Sequence, residues 1–193
     1  LQYYLLYVAG LREQDDMEEN IDASTLGSAV HYVLENIYKE VVGKNLTPNF
    51  FEQLLTNKLR IEQLLKESFA GRFDDESLAN GKNYLLYRVC LKLVDEFLKQ
   101  EFALVKEDET RSAQTKILML ETEMIQPIIV SNFTVNIRGK VDRVEEKNDI
   151  INIADYKTGS DSGNKLNVDD IKQLPDTPKF SKAMQLLMYA WMY

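Results

Sequence analysis

The chain has one cysteine, Cys90, and one histidine, His31, among its 193 residues. A single cysteine excludes an internal disulfide and any multi-cysteine metal site within these residues, and it suits a reducing, cytoplasmic compartment. No apolar run is long enough to span a membrane. The opening LQYYLLYVAGL has no basic segment before it and no small-residue cleavage site after it. It therefore reads as a buried helix rather than a signal peptide. Basic residues are also scarce: 23 Lys and Arg against 31 Asp and Glu leave a net charge of −8. That balance argues against a sequence-independent nucleic-acid binder with a basic footprint. It leaves room for a divalent-metal site, which concentrates acids, and for a local basic patch.

What is present suits one globular domain over residues 1–193, since 45% of the chain is hydrophobic and 28% charged. The chain starts without methionine and stops inside the amphipathic LLMYAWMY, so it is expected to be a fragment of a longer protein. Residues 1–110 read as mainly helical. The first apolar helix ends near Gly10, and REQDDMEENID is an acidic connection. Ser24 or Thr25 could cap the next helix, whose stripe is Tyr32, Val33, Ile37 and Val41, with Gly43 placed to stop it. TPNFFEQLLTNKLRIEQLLKESFA begins with Thr47 as cap and Pro48 in the first turn and reads as one helix. GRFDDESLANGK reads as a loop, and NYLLYRVCLKLVDEFLKQEFALV as a long amphipathic helix.

Residues 111–193 change period. KILMLETEMIQPIIV and FTVNIRGKVDRVEE alternate as strands do, and KND turns tightly into IINIADYKTG. A polar loop over 159–178 leads to a last helix, SKAMQLLMYAWMY. Helices, a three-strand meander and a further helix make an α+β fold.

In the third strand, Ile151, Ile153, Asp155 and Lys157 share a face, so a core-facing row turns polar at its end. Asp142 lies on the neighbouring strand, three residues after Gly139, a residue that weakens a strand and often marks a bend. Two carboxylates brought together repel unless a cation sits between them. Hard oxygen ligands suit Mg²⁺ or Mn²⁺, and an adjacent lysine can offset charge developing on a phosphate or orient a water. The bland alternative for Asp155 and Lys157 is an ion pair at a strand end. For His31, on a helix that otherwise looks like core, it is a satisfied core or surface residue. Glu35 lies one turn further along the same face. An imidazole added to Asp142 and Asp155 would make a mixed nitrogen and oxygen site.

The ordered set GSAVH, GKVDR, ADYKTG and QLLMY resembles the RecB/AddB-type nucleases of the PD-(D/E)XK superfamily. Those proteins carry a glycine-plus-histidine helix, an acidic strand position, a G-x-x-D-R strand, a D-Y-K-T-G strand and a Q-x-x-x-Y helix. The opening LQYYLLYVAGL resembles the helix they place ahead of the histidine. The resemblance implies a restriction-endonuclease-like core, a mixed sheet flanked by helices, behind an N-terminal helical region. It implies that His31, Asp142, Asp155 and the Tyr156 carbonyl bind the metal and that Lys157, with Asp142 and Asp155, is catalytic. Gln185 and Tyr189, four apart on one helix face, would face the DNA. The upstream acid is Glu121 or Glu123, which share a strand face, and Glu123 is preferred. Either could instead be a solvated strand residue.

The function so implied is a Mg²⁺- or Mn²⁺-dependent, exonuclease-type deoxyribonuclease acting on single- or double-stranded DNA ends. Its expected setting is beside a helicase in double-strand break repair and recombination. Alternatives are a stand-alone exonuclease of CRISPR-adaptation or phage-recombination type, or a non-catalytic DNA-binding or scaffold module of the same fold. Many relatives hold an iron–sulfur cluster with four cysteines. These residues cannot hold one.

Overall fold

A computed structural model of the protein describes residues 22–159, 166–168, 170–174 and 176–193. The expected first helix, the acidic connection as far as residue 21 and part of the loop over 159–178 lie outside these residues. Helix α1 (Ala23–Tyr38) starts at Asp22, whose carboxylate accepts from Thr25 N–H at 2.6 Å. The cap is thus Asp22 rather than Ser24 or Thr25. A single 3₁₀ turn, Lys39–Val41, continues α1, and Gly43 takes the left-handed φ of 76° that ends the segment. The buried stripe is Leu26, Ala29, Val30, Val33, Leu34 and Ile37. Tyr32, expected in that stripe, is exposed at its margin.

The segment read as one helix after Thr47 is two, α2 (Pro48–Thr56) and α3 (Lys58–Phe69). Asn57 leaves helical geometry between them at φ −92° and ψ 65°. The expected loop GRFDDESLANGK contains a short helix, α4 (Asp75–Ala79), capped by Asp74. Helix α5 (Gly81–Thr110) runs for 30 residues. Val33, Ile37, Phe51, Leu65, Phe69 and Leu98 from α1, α2, α3 and α5 are fully buried in one cluster. Each such side chain contributes about 1.5–3 kcal/mol. Cys90 lies in the same core, where burial pushes its thiol up to about 11 and leaves it inert.

The sheet is β1 (Thr115–Val130), β2 (Phe133–Lys147) and β3 (Ile150–Ala154), antiparallel, with β2 central. Asn148 and Asp149 both take positive φ, 52° and 61°, as a type I′ turn requires. The β1–β2 connection is the two residues Ser131 and Asn132, between the pair Val130 and Phe133. The register therefore runs straight back from the turn until a bulge between Ile117 and Met119. Residues 42–46 hydrogen-bond to the start of β1, with Gly43 N–H to Ile117 O and Leu46 N–H to Thr115 O, both at 2.8 Å. This ties the helical part to the sheet.

Helix α6 (Ser181–Met192) covers the other side of the sheet. Val141 and Val144 pack with Tyr189 of α6, whereas Asp142 and Arg143 between them both reach the helical side. Period-two alternation is interrupted there. Arg143 is buried against Glu101 of α5 at 2.7 Å, pairs with Glu145, and lies over the Tyr38 ring at 4.8 Å. One guanidinium thus joins β2 to α1 and α5. A buried pair broken on one side costs about 3–5 kcal/mol, so this residue holds the platform on which Asp142 sits.

Gly139, expected at a bend, has a different use. A Cβ there would stand 2.8 Å from Tyr189 Cε1 and 2.7 Å from Met192 Cε. The missing side chain is a seat for α6. Gly139→Ala is therefore expected to destabilise the fold by about 1–3 kcal/mol through overpacking, measured by chemical denaturation. Much of that cost should disappear in a Tyr189→Ala background.

Candidate metal centre

His31 lies on α1 one turn after Gly27, and a Cβ on Gly27 would approach Thr158 Oγ1 to 3.3 Å. The glycine lets the helix come close to the chain just after β3. That closeness places His31 Nε2 at 3.1 Å from the Tyr156 carbonyl oxygen. On the sheet side, His31 Nδ1 is 3.3 Å from Glu121 Oε1 and 3.5 Å from Asp142 Oδ1. Asp142 Oδ2 accepts from Tyr156 N–H at 2.6 Å, which fixes the carboxylate and the turn after β3 together. The Tyr156 ring meets His31 edge-on at 5.6 Å and Phe97 at 5.4 Å, and its burial pushes the phenol up to about 12. The residue's side chain is thus anchored in the helical core while its carbonyl faces the site.

Both ring nitrogens of His31 face only acceptors, so the arrangement favours the doubly protonated imidazolium. Its pKa is pushed up to about 9, first by the hydrogen bond with Asp142, against the opposing effect of burial. His31, Glu121 and Asp142 each offer a ligand atom, and the three atoms lie within 4.8 Å of one another. One imidazole, two carboxylates and a facing carbonyl form a donor set that fits a divalent cation. The imidazolium proton now answers the charge that such an ion would answer.

Glu121, not the preferred Glu123, is the acid at this centre. The pairs Leu120–Arg143 and Thr122–Val141 bracket Glu121 and Asp142, which therefore face each other across the two strands. Glu121 takes φ of 45°, a left-handed conformation rare for a non-glycine residue and one that costs about 1–3 kcal/mol. Glu123 falls opposite Lys140 instead, is 58% exposed and pairs with Arg138 at 3.8 Å. Counting back from the turn at Ser131 and Asn132 was the available signal, because each step away on one strand matches a step on the other.

Asp155, expected among the metal ligands, lies outside the three-residue set. Its carboxylate pairs with Lys157 Nζ just beyond β3, which ends at Ala154. Asp155 and Lys157 do meet, as their shared strand face suggested. Lys157 lines a cleft of about 580 Å³ together with Gly27, His31, Tyr32, Glu121 and Lys140. Glu35 and Lys182 also border it. Lys140, which sequence reasoning passed over, holds Glu121 Oε2 at 2.7 Å. Gln185 and Tyr189, expected to face DNA, do not line this cleft. Gln185 Nε2 donates to Tyr189 Oη at 2.7 Å, and the Tyr189 ring is buried against Gly139. A second depression of about 440 Å³, between Ile61 and Leu91, contains none of the candidate residues.

Comparison with known protein families matches residues 1–193 to the PD-(D/E)XK nuclease superfamily. The chain belongs to that superfamily. The helices and the three-strand antiparallel sheet agree with its restriction-endonuclease-like α+β fold, preceded here by N-terminal helices. PD-(D/E)XK proteins are typically metal-dependent nucleases, and His31, Glu121 and Asp142 form a cluster whose donor atoms could hold such an ion. Comparison with curated proteins and with solved structures gives no match. Among the described residues no helix is long and apolar enough to cross a membrane.

His31 is the only histidine, so its ring protons give an isolated NMR titration. In metal-free protein the midpoint is expected near 9, against an ordinary 6.5, and Asp142→Asn should bring it back toward the ordinary value. A raised folded-state pKa stabilises the fold fully below 6.5, and that contribution is lost as pH climbs through about 9. Melting temperature in EDTA should accordingly fall across that window, and fall less in His31→Ala.

Proposed function

We propose that this domain is an exonuclease-type deoxyribonuclease of the RecB/AddB-like kind, dependent on Mg²⁺ or Mn²⁺. We further propose that it works beside a helicase domain or subunit in the repair and recombination of broken DNA, in the cytoplasm. The observation that carries the reading is the convergence of His31, Glu121 and Asp142 with the Tyr156 carbonyl beside Lys157. Ion-pair chemistry alone gives no reason to gather an imidazole and two carboxylates, one of them the strained Glu121, at the mouth of a cleft. A metal site does. The match to the superfamily over residues 1–193 supports it.

In this reading His31, Glu121 and Asp142 hold the ion, and the Tyr156 carbonyl faces it. Bound there, the ion would polarise a phosphoryl oxygen and lower the pKa of a water nucleophile. Lys157 reaches the same cleft with its ammonium, which offsets the negative charge that accumulates on the phosphate oxygens. Asp155 holds the Lys157 side chain toward that position. Tyr32, at the cleft margin, offers an aromatic face to the nucleotide. Residues 1–193 are read as one nuclease domain, residues 1–110 carrying the histidine helix and 111–193 the catalytic sheet. Gln185 and Tyr189 act by packing: they seat α6 on Gly139.

Calorimetry with Mn²⁺ tests the centre. Binding should be lost in His31→Ala and Asp142→Ala, weakened in Glu121→Gln and unchanged in Glu123→Gln. Metal affinity should also rise with pH, because the ion displaces the proton on His31. Lys157→Ala should keep the metal and lose cleavage of linear DNA by on the order of 10²-fold or more. A folded protein that ignores millimolar Mn²⁺ ends this reading.

A further inference from the structure

The β1–β2 hairpin projects well past the metal centre, and its two faces differ. On one face Gly139 and Met124 pack against α6. The other face carries Lys140 and Arg138 from β2 and, paired with them, Glu123 and Ile125 from β1. Further out it carries Pro127 beside Asn136 and Ile129 beside Thr134. Every one of these eight positions is exposed, whereas Met124, Gln126, Ile128, Ile137 and Gly139 on the opposite face are half-buried. The open face is the one that contains the metal centre: Lys140 lines the His31 cleft, and Glu121 and Asp142 are the next pair inward.

The geometry points to this open face as the track along which a single DNA strand leaves the metal centre, resting on the function proposed above. Three features fit a strand. Lys140, Arg138 and Asn136 recur every second residue along β2, which spaces them by about 6.8 Å, comparable with successive phosphates of an extended strand. Beside them Ile125, Pro127 and Ile129 present apolar surface, with Ile129 82% exposed. Cationic and hydrogen-bonding groups in one row, with apolar surface in the next, give the backbone and the bases separate partners. The outer part of the open face is two strands wide, and among the described residues β1 has no further strand beside it.

Charge makes this track conditional on the ion. From Asp142 outward the face holds three carboxylates, Glu121, Glu123 and Asp142, against the two cations Lys140 and Arg138. That sum is −1, or 0 with the His31 imidazolium between Glu121 and Asp142 included, and a divalent ion in place of the ring proton turns it to +1. The ion would also compete with Lys140 for Glu121, now 2.7 Å apart, and so release the ammonium toward a phosphate. Single-strand affinity along this face should therefore rise when the centre is filled.

Fluorescence anisotropy with a short labelled single-stranded oligonucleotide, in EDTA and in Ca²⁺, is the test. The expected result is tighter binding in Ca²⁺, weakened about tenfold in Arg138→Glu and several-fold in Ile129→Asp. The slope of log affinity against log salt should shrink by about 0.7 in Arg138→Ala, because one phosphate fewer is neutralised. Both positions are exposed, and Mn²⁺ calorimetry on the same variants should match the unmodified protein. Unchanged affinity in these variants overturns the track, as does absence of single-strand binding while Mn²⁺ still binds. A concentration-dependent dimer that Ile129→Asp abolishes would make the face an interface between copies and overturn it as well. Loss of Mn²⁺ binding in the unmodified protein would instead remove the metal centre, and the anisotropy would still judge the track.

Discussion

Two carboxylates that face each other across adjacent strands create a charge problem that organises this molecule. Glu121 and Asp142 cannot lie side by side in a half-buried position without a cation between or beside them. The described structure answers with His31 Nδ1 at 3.3 and 3.5 Å and with Lys140 at 2.7 Å from Glu121. To deliver the imidazole, α1 must lie close over the sheet, which Gly27 permits by leaving room for Thr158. To hold Asp142 in place, the strand beneath it is pinned by Arg143 to Glu101 and over Tyr38. The centre and the packing of the domain are therefore one arrangement.

The same constraint explains why the motif glycines and aromatics differ in use from what their positions suggest. Gly139 and Tyr189 belong to one contact, a ring seated where a Cβ would collide. That contact fastens α6 to the back of β2, directly behind the residues that carry chemistry. Tyr156 likewise acts through its backbone: its N–H holds Asp142 and its carbonyl faces His31, while the ring is sunk among Phe97 and His31. The buried Tyr156 ring fixes the backbone carbonyl that was expected to face the ion.

Much of the fold was legible because its signals are local. The Thr47 cap with Pro48, the Val33 and Ile37 positions of the α1 stripe and the KND turn each depend on a few neighbouring residues, and each lies where those neighbours put it. The break at Asn57 and the short helix α4 were not legible, since whether a helix continues depends on what its next turn packs against. Of the residues expected from motif order and chemistry, the structure brings His31, Tyr156 and Lys157 to one cleft and sets the buried Asp142 beside His31. Asp155, expected among the metal ligands, pairs with Lys157 just beyond the end of β3 and lies outside the cluster of His31, Glu121 and Asp142.

The sequence by itself determined which chemistry this protein can hold: one histidine, paired acids on a hairpin and a lysine two residues after the second aspartate. Composition and motif order carry that information because donor type is a property of single residues. Alternation alone leaves open which acid meets the histidine, and the ladder counted back from the Ser131–Asn132 turn separates the two. Glu121 and Glu123 are equivalent to any rule of alternation, and they differ only in what lies across the ladder, Asp142 for one and Lys140 for the other. The short turn makes that register countable, but the approach of a helix more than a hundred residues away in the chain is a non-local quantity. It exists only once the hairpin has closed and α1 has been packed onto it.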